Sequence, residues 1–489
     1  MRAAALLIFL LLAPLAPTAS AGLGHYGHDG WPVNVDGEST NPVTGGAWNQ
    51  VGPATLYPYY PILSLEVQRL ADLYPDRVRL HEAGTSTVGL SLWMLEIADF
   101  AAIEAGEGMP LEEREVVWVD GGTHSNEYSG VYFTLAWAQY LIEGYGVDDN
   151  ATWIVDNRHT WILPMVNPDG SNAMGRLNAN LVNINRNYPV VWDGQGNDAL
   201  MNNRGPHPAS EIETQITIEW YNKTQPDYMA SIHCCGNLWL YPYGEEGVDP
   251  PADDFAMLEQ VCDLAFPDVR EACGPIWSTI YPASGSSVDT AYEYTGAVAF
   301  GYEMSGRGAV SIWGQPITVE DVQTQERESW YGLLHAFLNV HRYGGHPVID
   351  AVAADGDDGL RVTVRNDGLG NLTAGTLRFE QDGRAADVAL PRLAPGEVAT
   401  LELPADARLG EATLALDYQK RAMAAPQGVS TVPLVFVRSG DAMTQEDADV
   451  LTVPLGDEGS AIPGAGPALA LLALAALALI VGRNGRLRP

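Results

Sequence analysis

From Tyr59 to about Tyr343, short apolar runs of strand length alternate with longer stretches whose apolar residues recur three and four apart. The runs are Leu90–Ile97, Glu115–Val119, His159–Met165, Tyr228–Ile232 and Ala297–Tyr302. Helical spacing covers Leu63 to Tyr74 and Tyr128 to Tyr145, and Trp330, Leu333, Leu334, Phe337 and Val340 form a stripe on a final helix. Strands that alternate with helices predict an α/β domain with a mostly parallel sheet.

The texture changes at Gly344-Gly345-His346-Pro347. Residues 346–438 hold short period-two runs such as Leu360–Val364, Leu401–Leu403 and Ala412–Leu416, separated by turns at Asn366-Asp-Gly368, Gln381-Asp-Gly383 and Ala394-Pro-Gly-Glu397. This predicts a small all-β sandwich domain of immunoglobulin-like size. Its Arg365-Asn-Asp-Gly and Leu393-Ala-Pro-Gly-Glu stretches resemble adhesion-type sandwich domains found beside exported enzymes. Residues 439–462 are acidic and Gly-rich and read as a linker. Residues 463–482 are an uncharged apolar segment, followed by the basic tail 483–489 with Arg483, Arg486 and Arg488. That order fits a short transmembrane span with a positive cytoplasmic flank, or a sorting segment exchanged for another anchor. At the other end, residues 1–21 combine one Arg, an apolar run and Ala19-Ser20-Ala21, the pattern of a signal peptide. Residues 22–58 are an irregular arm, leaving 59–345 as the α/β domain. The expectation is an exported protein held on the extracellular face of the membrane by its C-terminal segment.

Charge narrows the possible partners. The chain carries 62 acidic and 26 basic residues, a net charge of −36. Such a surface repels phosphates, so nucleic acid is excluded as a partner. Four cysteines are too few for a disulfide scaffold, although Cys262 and Cys273 lie close enough in sequence to close a small loop.

The chemistry lies at strand ends. Glu115–Val119 leads through a glycine pair to His124 and Glu127 in the stretch GGTHSNEYSG. Ten histidines and 62 acidic residues produce about one His-x-x-Asp/Glu match by chance, so the spacing alone is weak. Two more runs, however, end on His233 and Glu303. In open α/β sheets ligands bind beyond the carboxyl ends of the strands. One crevice there would collect two imidazoles, a metal-binding carboxylate and a spare carboxylate. A His₂Glu set with an open fourth position suits catalytic zinc, with the spare carboxylate as base.

These residues belong to a longer ordered set. His124-Ser-Asn-Glu127, Asn167-Pro-Asp-Gly170, Asn185-Arg-Asn187, Ser231 to Gly244, Thr279 to Gly285 and Tyr302-Glu-Met304 together resemble the zinc carboxypeptidase A/B family over roughly residues 56 to 343. The resemblance implies a mixed sheet with helices on both faces. It implies one Zn²⁺ per chain on His124, Glu127 and His233, and a general base at Glu303. It further implies that Arg176 polarises the scissile carbonyl, that Asn185 and Arg186 bind the terminal carboxylate and that Tyr281 closes over it. Val288 would line the pocket of the departing residue. The implied reaction is hydrolysis of C-terminal peptide bonds by Glu-assisted attack of zinc-bound water, with apolar or aromatic residues released. Peptide or protein C-termini are the implied partners.

The chain departs from the family pattern in three places. Asn183 stands where an Asp usually accepts a hydrogen bond from a zinc-bound imidazole, and an amide raises ligand basicity less. Asn126 replaces the arginine often found inside His-x-x-Glu. Cys234 and Cys235 follow the second histidine, where the family has a cis peptide. An oxidised pair would tolerate that geometry, and two small buried thiols are the other reading. Two further functions use the same residues: a zinc amidase or deacylase on peptidoglycan or acyl-amino acids, and a catalytically silent surface binding protein.

Overall fold

In the computed structural model the described residues run from 60 to 454, apart from 173–174, 195–202, 235, 237, 305–318, 355–358, 382–383, 405–410, 420, 422–431, 437–441 and 445–452. The expected signal segment, N-terminal arm, C-terminal apolar segment and basic tail lie outside them. Among the described residues no helix is long and apolar enough to cross a membrane.

The chain divides into two units, Met1–Pro250 with Cys262–Val340, and Pro251–Val261 with His341–Pro489. The first unit is built on strands β1 (Val78–Thr85), β2 (Ser91–Ile97), β3 (Glu115–Gly121), β4 (Arg158–Leu163), β5 (Tyr228–Cys234), β6 (Leu238–Tyr241), β7 (Cys273–Pro275) and β8 (Val298–Met304). They form one sheet in the order β1-β2-β4-β3-β5-β8-β6-β7. The centre, β4-β3-β5-β8, and the β6–β7 pair are parallel, while β1–β2, β2–β4 and β6–β8 are antiparallel. The sheet is therefore mixed and mostly parallel. Central strands are buried on both faces, which is why Val117-Trp-Val119 and Met229-Ala230 read as continuous apolar runs. The reading of apolar runs recovered β2, β3, β4, β5 and β8. It passed over β1, whose residues are mostly half-exposed, so its apolar signal is thin. The run expected to reach Met165 stops at Leu163, because Pro164 has no N–H for the ladder.

The helices are α1 (Tyr60–Leu73), α2 (Phe100–Ala105), α3 (Tyr128–Gly144), α4 (Asp149–Asn157), α5 (Pro168–Asn172), α6 (Ile212–Thr224), α7 (Ala252–Ala265), α8 (Ile276–Thr279), α9 (Ser287–Thr295) and α10 (Val319–Asn339). Helix α3 packs on β3 and β5, and α9 on β5 and β8. Ser286 starts α9 by accepting the Asp289 N–H on its hydroxyl, and Gly296 ends it in the left-handed region. Trp137 of α3 and Trp330 of α10 meet edge to face at 4.8 Å and carry much of the core on that side. A disulfide joins Cys262 and Cys273.

The second unit holds β9 (Pro347–Ala354), β10 (Gly359–Asn366), β11 (Gly375–Gln381), β12 (Arg384–Ala389), β13 (Val398–Pro404), β14 (Glu411–Tyr418), β15 (Val432–Phe436), β16 (Ala442–Thr444) and β17 (Val453–Pro454). All their pairings are antiparallel, in one sheet ordered β13-β10-β9-β16 and another ordered β12-β11-β14-β15 with β17 on β14. Val362 and Val364 of the first sheet and Leu377, Phe379, Leu414 and Leu416 of the second share one hydrophobic cluster. Strands β16 and β17 fall inside the segment read as an acidic linker. They are short apolar islands in an acidic stretch, and composition over a longer window hides them.

Candidate metal centre

The register of the central strands places Gly121 of β3 beside Ile232 of β5, and His233 of β5 beside Glu303 of β8. Three chain segments therefore leave the sheet side by side at one edge. The glycine pair after β3 has two separate reasons. A Cβ on Gly121 would lie 2.6 Å from the Gly130 carbonyl oxygen, so only glycine lets the first turn of α3 approach. Gly122 has φ +66°, which side chains disfavour. The loop beyond is pinned where Ser125 Oγ donates to the Asn167 carbonyl at 2.7 Å. Glu127 then stands at the N-cap position of α3.

His124, Glu127 and His233 are buried, and their ligand atoms all lie within 4.8 Å of one another. His124 Nδ1 is 2.9 Å from Glu127 Oε1, His233 Nδ1 is 3.0 Å from Glu127 Oε2, and the two Nδ1 atoms are 3.2 Å apart. The outer contacts fix which nitrogen carries hydrogen. His124 Nε2 meets Asn183 Oδ1 at 3.0 Å, an acceptor, so Nε2 donates and Nδ1 keeps its lone pair. His233 Nε2 meets Ser231 Oγ at 3.1 Å, and Ser231 sends its own proton to Asp120 Oδ1 at 2.7 Å. His233 Nδ1 therefore keeps its lone pair as well. Two nitrogen lone pairs and a carboxylate facing one another in a buried site repel unless a cation lies among them. The donor set fits zinc, with a third ligand type that carries the charge.

The electrostatics agree with that reading. Burial and the neighbouring Arg176 push His124 down to about 3, so its ring stays neutral. Burial alone would raise Glu127, but the two imidazoles and Arg176 hold it well below the usual carboxylate range. His233 is drawn upward by Glu127 against its own burial. Because the ligands must be unprotonated at the atoms that face one another, metal binding there would be coupled to proton release.

The other expected residues stand around this core. Arg176 Nη1 donates to Glu127 Oε1 at 2.7 Å. Asn185 accepts the Ser287 N–H on Oδ1 at 3.0 Å, and its Nδ2 is 3.4 Å from His233 Nε2. Arg186 is 2 % exposed and its Nε has no hydrogen-bond partner among the described residues. Its guanidinium is lowered by burial and held up by contact with the Tyr281 hydroxyl. Tyr281 itself is 46 % exposed, at the rim. Glu303 is pushed up to about 7 by burial and by the charge of Glu127, against the pull of His233, Arg176 and Arg186. Val288 is buried on α9 against Gly301 of β8. Asp289, beside it, accepts the Gly244 N–H on both oxygens, at 3.2 and 3.0 Å. Cys234 is disulfide-bonded, and its N–H donates to Glu127 Oε2 at 3.1 Å. Cys235 and the peptide that joins it to Cys234 lie outside the described residues.

Sequence reasoning missed Asp120 and Ser231. Ser231 was findable, since residues two apart on a strand share a face and Ser231 precedes His233 by two. Asp120 lies one residue past the apolar run Glu115–Val119 and drew no reading.

The family model described as zinc carboxypeptidase matches residues 65–331. The chain is 27% identical over 245 residues to carboxypeptidase A2 of Mus musculus, covering 45% of this chain and 58% of that protein. It is 28% identical over 289 residues to carboxypeptidase A1 of Sus scrofa, covering 53% of this chain and 64% of that one. The matches thus span less than two thirds of these relatives' own length. Among solved structures, carboxypeptidase A from Helicoverpa armigera shares the fold, with a TM-score of 0.50 at 20% identity over 61% of this chain and 76% of that chain.

Proposed function

The chain belongs to the zinc carboxypeptidase family, and from that premise we propose that it is an exported metallocarboxypeptidase that releases apolar or aromatic residues from free C-termini. One observation carries the reading. A buried guanidinium, Arg186, with an unpartnered Nε, lies close to the charged Glu303 and Arg176, beside a convergent His₂Glu cation site. A substrate carboxylate would supply what Arg186 lacks, since a planar guanidinium matches it bidentately.

His124, Glu127 and His233 would hold the zinc. When bound, it supplies a Lewis acid that acidifies water and polarises a carbonyl. Glu303 takes the proton of the attacking water and passes it to the leaving amine. Arg176 stabilises negative charge developing on the carbonyl oxygen. Arg186 and Asn185 hold the terminal carboxylate, and Tyr281 covers it. Val288 gives the pocket of the departing residue an apolar wall. Asp289 is engaged by the Gly244 backbone, which supports an apolar rather than a basic preference.

The two antiparallel sheets with a common hydrophobic cluster read as a β-sandwich spacer, placed in the chain before the C-terminal apolar segment. The Cys262–Cys273 disulfide supports an oxidising, exported setting.

The test compares peptides ending in free Phe or Leu, the same peptides amidated, a peptide ending in Arg, and acyl-amino acids, each with and without chelator. Chelator-sensitive release of Phe or Leu from free ends alone is the expected result. A strong Arg preference would refute the role given to Val288. Equal turnover of amidated or acyl-amino-acid substrates would move the reading to an amidase or deacylase. Zinc binding without any turnover would leave a surface binding protein.

A further inference from the structure

We propose that Asp120 and Ser231 form a hydrogen-bond relay that positions His233 for metal binding and supplies the negative charge that Asn183 does not. The proposal rests on the metal-centre reading above.

Asp120 and Ser231 are register partners on the adjacent strands β3 and β5, and both are buried. Asp120 receives three donors: Ser231 Oγ at 2.7 Å and Trp118 Nε1 at 2.8 Å, with Tyr221 Oη at 3.3 Å. An indole N–H can only donate, so Oδ2 accepts from Trp118, and three donors converge on the two carboxylate oxygens although burial raises the group above the usual carboxylate range. The single proton of Ser231 is therefore committed to Asp120. What Ser231 offers His233 Nε2, 3.1 Å away, is a lone pair. Asn185 Nδ2, a donor, also faces Nε2 but lies farther off at 3.4 Å; with the shorter Ser231 contact setting the tautomer, Nε2 carries the hydrogen and the Nδ1 lone pair is aimed at the cluster. Were the Ser231 proton turned toward His233 instead, Nδ1 would be protonated and lost as a ligand.

The two imidazoles are thus supported unequally. His124 leans on a neutral amide oxygen, Asn183 Oδ1 at 3.0 Å. His233 leans on a hydroxyl polarised by a carboxylate. Charge behind a ligand histidine raises its basicity, and losing such a partner typically costs about 10–100-fold in metal affinity. Here that charge enters through β3 and β5. Asp120 and Ser231 are positioning residues and touch no reacting atom.

The experiment measures zinc affinity of the full-length protein by competition with a chromophoric chelator, together with the absorption bands of the cobalt-loaded form. Asp120→Asn keeps the shape, but its amide can donate to Ser231 and so reverse the relay. Ser231→Ala removes the link. Each is expected to weaken zinc by about 10–100-fold and to shift the cobalt bands. The double variant should lose no more than the worse single one, because one path is being cut twice. Ser231→Thr keeps the hydroxyl and should restore affinity. If Asp120→Asn does not fold, Ser231→Ala with its Thr rescue decides alone. Wild-type affinity and unchanged cobalt bands in Ser231→Ala would overturn the relay, as would strictly additive losses. Absence of stoichiometric zinc in the wild type would instead overturn the metal reading beneath it.

Discussion

Glu303 shows how one side chain is set by its neighbours. It lies near the end of buried strand β8, stands beside His233 in register and is pushed up to about 7 by burial and by Glu127. A general base must be ionised to act, so on this group activity rises with pH and is lost as pH falls through its folded pKa. A bound cation pulls that pKa down. The acid limb of kcat/KM is therefore expected at or below about 7, and it should be missing from the residual rate of Glu303→Gln. That variant should keep zinc and substrate binding while turnover falls by about 10²–10⁴-fold. Metal analysis and a pH–rate profile on the same preparations check both points. Near-normal turnover in Glu303→Gln would remove it from the mechanism.

At the scale of elements, close backbone packing and a paired sheet edge decide what the site can be. A Cβ on Gly130 would lie 2.4 Å from the Ile232 carbonyl oxygen, so α3 can sit against β5 only with glycine in its first turn. Gly130→Ala should push the start of α3 outward and take Glu127 with it. Overpacking of this kind costs about 1–3 kcal/mol. The variant should melt earlier and bind zinc more weakly; unchanged zinc affinity at a lower Tm would show that the strain is absorbed elsewhere. Farther along the sheet, Glu96 of β2 is bridged by His81 of β1 and His159 of β4, each Nε2 at 2.8 Å. Burial would raise Glu96, but these two partners bring it down to about 2 from 4.5. A depressed carboxylate contributes stability above its unfolded pKa and loses it as pH falls through the folded one. Glu96→Gln should therefore be less stable than wild type above about pH 4.5, with the gap closing towards pH 2. Denaturant midpoints across that range would show it, and a constant gap would refute the pairing.

For the whole molecule, charge and apolar ends set the behaviour. With a net charge of −36 the body should resist self-association in dilute salt. If the apolar segment anchors it, removing residues 463–489 should move the protein from the membrane fraction to the soluble one with its peptidase rate unchanged. Fractionation with activity assays tests this, and equal solubility of both forms would discard the anchor.

The sequence by itself determined the strand-and-helix alternation and the residues that can bind metal, because both are local. Burial on two faces forces apolar runs, and chemistry at a strand end is visible where the run stops. Thus β3, β5 and β8 and the residues His124, Glu127, His233 and Glu303 were legible in one dimension. Edge strand β1 was not, since half-exposed residues carry little periodic signal. Nor were partners from distant segments. That Asp120 reaches Ser231, that Asn183 meets His124, and that Glu96 is shared by His81 and His159 depend on strand order and register. Tertiary structure alone decided which nitrogen of each histidine faces Glu127, because a tautomer is set by the hydrogen-bond network on the opposite side of the ring, and Asn183 and Asp120, which anchor those networks, come from other parts of the chain.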